Sequence, residues 1–393
     1  MDKDQNTQTR RKLLGALGGA AALLPFTNSA FGQGGCRDGY GQAATSRCPL
    51  PLEQATAPIK EVFESTGWKT IGLEHILIDV VDYKKEAAFY VALMGWKLRR
   101  DTGNRASLDV GKWGSVIFRG MNPESFGPGA PAANGRPAQP APRAAVRGFA
   151  WVIDKWDAKT VKAELEKRGM TPVAENDGDF ESFHVKDPDG WDLQICNDKG
   201  LFAQRKTAPT AKLSEPLPFA STGWNTVWLD HCSFRVSNYK ESASFYANLL
   251  GWQKTYDEGT QNEMMVGDVG DILVRGGNPF VTPGAPKGAL IDHISFGIDP
   301  WDVEGVRSAL ESRGLKAQID TSGQHPGPDG KLVQDDIYQA AFQSYHTDTP
   351  NGYNLQISWN TKDKRLALAT AVKPKQLRKY PTPLMQPMDK YNP

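Results

Sequence analysis

Residues 63–101, FESTGWKTIGLEHILIDVVDYKKEAAFYVALMGWKLRRD, return at 219–257 as FASTGWNTVWLDHCSFRVSNYKESASFYANLLGWQKTYD. Eighteen of the 39 aligned positions are identical, too many for chance, so the chain carries an internal duplication. Each copy holds FxSTGWxT, a strand-like stretch with one histidine (His75 or His231), and FYxxLxGW. The copies differ where chemistry would sit. The second has Asp292-His293-Ile294-Ser295-Phe296 where the first has Arg147-Gly148-Phe149-Ala150-Trp151. A working site is therefore expected in the second half.

The 393 residues suffice for two domains of ordinary size, each able to bury a core. With 46 Lys+Arg against 45 Asp+Glu, the overall charge gives no reason to expect nucleic acid as a partner. No apolar run reaches the length that spans a bilayer. Thr9-Arg10-Arg11-Lys12-Leu13-Leu14 opens an apolar run to Leu24, followed by Pro25 and the small-residue site Ala30-Phe31-Gly32. This reads as a cleaved signal peptide of twin-arginine type over residues 1–32, so we expect the export machinery as a partner and a periplasmic or secreted location. Cys36 and Cys48 flank a Gly-rich loop in the exported lead segment, where pairing is permitted. Cys196 and Cys232 alternate with apolar neighbours and read as buried small hydrophobes.

The expected divisions are a lead segment (33–67), a first domain (68–200), a linker (201–222), a second domain (223–361) and a basic, proline-rich tail (362–393). Within each domain, strand-period and helix-period stretches alternate as two βαβββ units. The expected class is α+β: tandem βαβββ modules, two per domain, each pair forming a curved open barrel. Period-two alternation puts His231, Ser233 and Arg235 on one face of the strand 230–236, with Cys232 and Phe234 on the other. His293 and Ser295 share a face on a later strand, as do Asn354, Gln356 and Ser358 on the last. If those faces line one cavity, His231, His293 and Gln356 can meet on one metal ion. Trp68, Trp96, Trp224 and Trp252 recur between the copies and read as core.

The four units, a histidine on the first strand of each unit in the second copy, and TPNGYNLQIS at 349–358 resemble the vicinal oxygen chelate superfamily of glyoxalases, bleomycin resistance proteins and extradiol dioxygenases. The resemblance is closest to its two-domain, four-module extradiol branch and covers residues 68–361. It implies a divalent metal, Fe(II) first, with Zn, Mn or Ni as alternatives, on His231, His293 and the residue at position 356. That residue is glutamate in the family and Gln356 here, which leaves the ion's charge less compensated. The family's catalytic tyrosine corresponds to His346, beside Tyr345, so both are candidates for proton transfer, with Arg235 for holding a substrate oxygen. The first copy keeps His75, His184 and Gln194 but has Gly148 for the second ligand, so it is expected to be structural or substrate-shaping.

The leading expectation is an exported metalloenzyme, dioxygenase-like, acting on a small oxygenated or phenolic compound. The alternatives are a glyoxalase-like isomerase or lyase, and a binding protein without catalysis. Neither a membrane span after signal cleavage nor nucleic acid is expected, and assembly into a homo-oligomer stays open.

Overall fold

Helix α1 (Tyr83–Met94) follows strand β1 (Thr70–Val80), and its ends show why the duplicated sequence folds as it does. The Asp82 carboxylate accepts from the Lys85 amide and caps the helix N-terminus, and Gly95 stops it in the left-handed region at φ 70°. In the second copy β9 (Asn225–Arg235) leads to α4 (Tyr239–Leu250), capped by Asn238 and ended by Gly251 at φ 70°. These are two of the elements in a computed structural model that describes residues 61–129, 140–257, 261–275, 289–320, 324–326, 332–334 and 344–363. All of them fall in one structural unit spanning residues 36–393. The expected signal peptide, Cys36 and Cys48, and all of the tail except residues 362–363 lie outside the described residues.

Repeat 1 continues with β2 (Lys97–Asp101), β3 (Arg105–Val110), β4 (Gly114–Gly120), β5 (Ala144–Ile153), α2 (Ala158–Lys167), β6 (Val173–Asp177), β7 (Phe180–Lys186), β8 (Asp192–Cys196) and a short helix α3 (Leu201–Gln204). Repeat 2 continues with β10 (Gln253–Asp257), β11 (Gln261–Val266), β12 (Gly270–Arg275), β13 (Leu290–Asp299), α5 (Val303–Glu311), β14 (Gln318–Asp320), β15 (Gln324–Pro326), β16 (Leu332–Gln334), β17 (Ser344–Asp348) and β18 (Asn354–Ser358). The first sheet runs β2-β3-β4-β1-β5-β8-β7-β6 and the second β10-β11-β12-β9-β13-β18-β17-β14, the same order twice. Each is a curved, open sheet of two βαβββ modules, with β15 and β16 added to the fourth module as a separate hairpin. His325 falls on the backbone of β15.

The apolar strand faces pack under helices and against the other repeat. Phe149 of repeat 1 lies against Phe234, Tyr246 and Trp252 of repeat 2, and Trp96 meets Phe296 edge-on. The FxSTGWxT motif explains itself here, because each copy docks on the other repeat's helix. Thr66 Oγ1 donates to the Leu249 carbonyl at 2.7 Å, and Thr222 Oγ1 to the Leu93 carbonyl at 2.6 Å. Trp96 Nε1 donates to Thr226 Oγ1 at 2.9 Å, and Trp252 Nε1 to Thr70 Oγ1 at 3.0 Å. The four duplicated tryptophans are buried, as their recurrence suggested. The end of the lead segment and the end of the 201–222 linker are parts of this clasp, each hydrogen-bonded to the first helix of the other repeat.

Candidate metal centre

Strand register decides which side chains share the second sheet's inner face, since directly opposed residues point the same way. One row crosses four neighbouring strands: His231 opposes Ser295, Ser295 opposes Gln356, and Gln356 opposes His346. The next row holds Ser233, His293 and Asn354. All these residues except Asn354 are buried, with His293, His346 and Gln356 at 0% exposure. Helix α4 lies on the opposite face, where Tyr246 meets Phe234.

The structure therefore brings His231, His293, Gln356 and His346 together on one polar face. His231 Nε2 and His293 Nε2 are 3.1 Å apart. His293 is edge-on to both His231 and His346, with centroids 5.2 Å away in each case. His346 Nδ1 is 2.8 Å from Asn354 Oδ1, and Gln356 Nε2 donates to Ser344 Oγ at 2.7 Å, which turns its Oε1 away from that serine. Trp228, fully buried over Gly297, and Met265 close one end of the face.

Two imidazole nitrogens on one ion, each about 2.0–2.1 Å from it and about 90–109° apart, would be separated by about 2.9–3.4 Å. The 3.1 Å spacing fits that bite. Among the described residues no group of three His, Cys, Asp or Glu side chains is arranged to hold an ion. A third donor must then be of another kind, and the Gln356 amide oxygen is of the right kind and in the right row. The donor set fits a divalent ion on that basis.

Tyr345 needs a correction. It lies between Ser344 and His346 on β17, so alternation turns it to the outer face, where its ring sits 6.3 Å from that of Trp301 with the Arg307 guanidinium over it. It takes no part in the candidate site. Arg235 stays on the His231 face but four residues along β9, roughly 13 Å away, where it opposes Arg275 of β12.

Strict alternation also misled at Asp230. On β9 the register steps from Leu229 to His231 while β13 moves only from Phe296 to Ser295, so Asp230 is an extra, bulged residue. The bulge turns its carboxylate onto its neighbour: Asp230 Oδ2 is 2.6 Å from His231 Nδ1, and its other oxygen takes the Thr361 hydroxyl. The available signal was an acid directly before the histidine in both copies, Glu74-His75 and Asp230-His231. Buried Glu263, Asp271 and Arg275 on β11 and β12 were also missed, being scattered in sequence and brought to one sheet only by strand pairing.

Repeat 1 shows the same face disarmed. A Cβ on Gly148 would meet the Asp192 carbonyl at 2.9 Å, so this backbone leaves no room for a histidine. Phe202 of α3 packs over Gly72 and against Ala150, Val152 and Cys196, with Glu74 accepting from the Leu201 and Phe202 amides. Arg205 reaches the Leu73 and Glu74 carbonyls and Ser115. His184 lies between Asp192 (2.8 Å) and Glu175 (2.7 Å), whose hydrogen bonds raise its pKa. Burial depresses His75 to about 3, with the charge of His184 adding to the effect. The Gln194–Ser182 contact at 2.8 Å repeats Gln356–Ser344.

A family model described as the Glyoxalase/Bleomycin resistance protein/Dioxygenase superfamily matches residues 72–195 and 228–336, once in each repeat. The chain belongs to that superfamily. Among solved structures, this superfamily member resembles the Mn(II)-bound glyoxalase from Novosphingobium aromaticivorans at 13% identity and a TM-score of 0.50, over 74% of this chain and 83% of that one. It also resembles the 2,3-dioxygenase LapB from Pseudomonas sp. KL28 at 15% identity and a TM-score of 0.50, over 74% and 93%. At these identities the likeness concerns the fold. No curated protein matches the sequence.

Proposed function

We propose that this superfamily member is a metal-dependent, dioxygenase-like enzyme acting on a small oxygenated or phenolic compound, with its site in repeat 2. The observation that carries the reading is the 3.1 Å approach of His231 Nε2 to His293 Nε2 on a buried polar face. His231, His293 and the Gln356 amide oxygen would hold the ion, Fe(II) first and Zn, Mn or Ni as alternatives. A bound divalent ion would supply Lewis acidity toward paired substrate oxygens and open positions for a second small ligand. The chain's own groups do the rest. His346, steered by Asn354, offers an imidazole next to His293 for moving a proton. Trp228 is fully buried at one end of the face, and Arg235 stands further along the same face to meet an anionic group. Export through the twin-arginine segment, giving a periplasmic or secreted enzyme, belongs to the same proposal.

A second reading, a binding protein without catalysis, draws on one specific observation. The Gln–Ser contact of the site recurs as Gln194–Ser182 in a repeat whose Gly148 bars the second histidine, so Gln356 also has an architectural use. Metal content of the purified protein, together with oxygen uptake on a panel of catechols, separates the two. The enzyme reading expects bound metal and uptake that is abolished in His293→Gly, the change that copies repeat 1. A metal-free protein with intact fold and no uptake favours binding alone.

A further inference from the structure

We propose that Asp230 is the positioning residue of this centre, supplying through His231 the negative charge that a glutamine at position 356 withholds from the ion. The inference rests on the metal-binding reading above. An ionised carboxylate only accepts hydrogen bonds, so in that form the 2.6 Å contact puts the proton on His231 Nδ1 and leaves Nε2 to face His293. A carboxylate behind a ligating imidazole fixes its orientation and raises its basicity. The geometry is specific to repeat 2. At the equivalent bulge in repeat 1, the longer Glu74 instead captures the amides of Leu201 and Phe202, and His75 Nδ1 meets no hydrogen-bond partner among the described residues. One methylene thus separates an acid that caps a helix from one that turns onto its own histidine. Thr361, just beyond β18, holds the second Asp230 oxygen, so the carboxylate is tied on both sides.

The fit also resolves the weakness of a neutral donor set. Two imidazoles and an amide leave a dication uncompensated, and Asp230, at 0% exposure, is the charge one imidazole away.

The test is Co(II) titration of the full chain, stripped with chelator, read by calorimetry and by the visible absorption of the ion, with apo melting temperature as the check on folding. The unaltered chain is expected to bind one Co(II), and Asp230→Asn to bind it about 10–100-fold more weakly. Adding Gln356→Glu to Asp230→Asn returns a carboxylate to the ion directly and is expected to recover most of that loss. A purely structural role for Asp230 would not be rescued in this way. Equal affinity in Asp230→Asn, or no recovery in the double variant, overturns the inference and leaves the metal reading standing. If the unaltered chain binds no Co(II), the metal reading fails and the inference with it. If Asp230→Asn does not fold, Asp230→Glu, which copies repeat 1, is the second variant: weakened binding supports the role and unchanged binding overturns it.

Discussion

Single atoms separate the two repeats. At position 148 the backbone passes so close to the Asp192 carbonyl that a Cβ would sit 2.9 Å from it. We expect Gly148→Ala to destabilise the protein by about 1–3 kcal/mol, measured as a shift in chemical denaturation midpoint; an unchanged midpoint would refute the crowding. Installing the missing ligand there should not create a second centre, so a Gly148→His protein should still titrate with one Co(II). In repeat 2 the equivalent residue, His293, opposes Ser233 and Asn354 without such a clash.

At the scale of elements, the turn before each repeat's last strand docks on the first helix of the other repeat, and both contacts bury a carboxylate. Glu86 on α1 accepts from the Asn351 backbone and side-chain nitrogens at 3.2 and 2.7 Å, and burial lifts its pKa to about 7. Asp187 accepts from the Trp191 and Asp189 amides and from the Tyr246 hydroxyl, and burial lifts it to about 6. A carboxyl whose pKa is higher folded than unfolded takes up a proton on folding. Its stabilising contribution is complete below the unfolded value, near 4.5 for Glu86, and is lost as pH rises through the folded one. The parent protein should therefore lose stability between about pH 4.5 and 7 relative to Glu86→Gln, by up to about 3 kcal/mol. Paired thermal melts across that range check the sign: parallel curves for the two proteins would contradict it.

Across the whole molecule, the reciprocal clasp ties the two repeats to each other, and we expect them to unfold together. Trp96 Nε1 and Trp252 Nε1 each depend on a threonine from the other repeat. Thr226→Val would leave the Trp96 N–H buried without an acceptor, at a cost of about 1–3 kcal/mol. We expect calorimetry of this variant to show one transition moved to lower temperature. Two separated transitions would mean that the repeats unfold independently. The pseudo-twofold arrangement of the clasp is that of an isologous dimer written in one chain.

What the sequence determined by itself was the duplication, the four modules, the polar and apolar strand faces, and the half of the chain with two histidines in matching positions. These follow from local periodicity and from comparing the chain with itself, and neither needs a contact map. The resemblance to the superfamily, which the family model bears out, rested on the same positions. Tertiary structure alone decided the rest. A single bulge put Asp230 on the face that strict alternation denied it, because period-two counting cannot see an extra residue. Tyr345, adjacent in sequence to His346, went to the opposite face for the complementary reason, since β17 does alternate. Phe202 and Arg205 filled repeat 1 from a segment that reads as linker, and STGW became a clasp only when the other repeat arrived to accept it. Such long-range pairings join residues more than a hundred positions apart, and only packing brings them together.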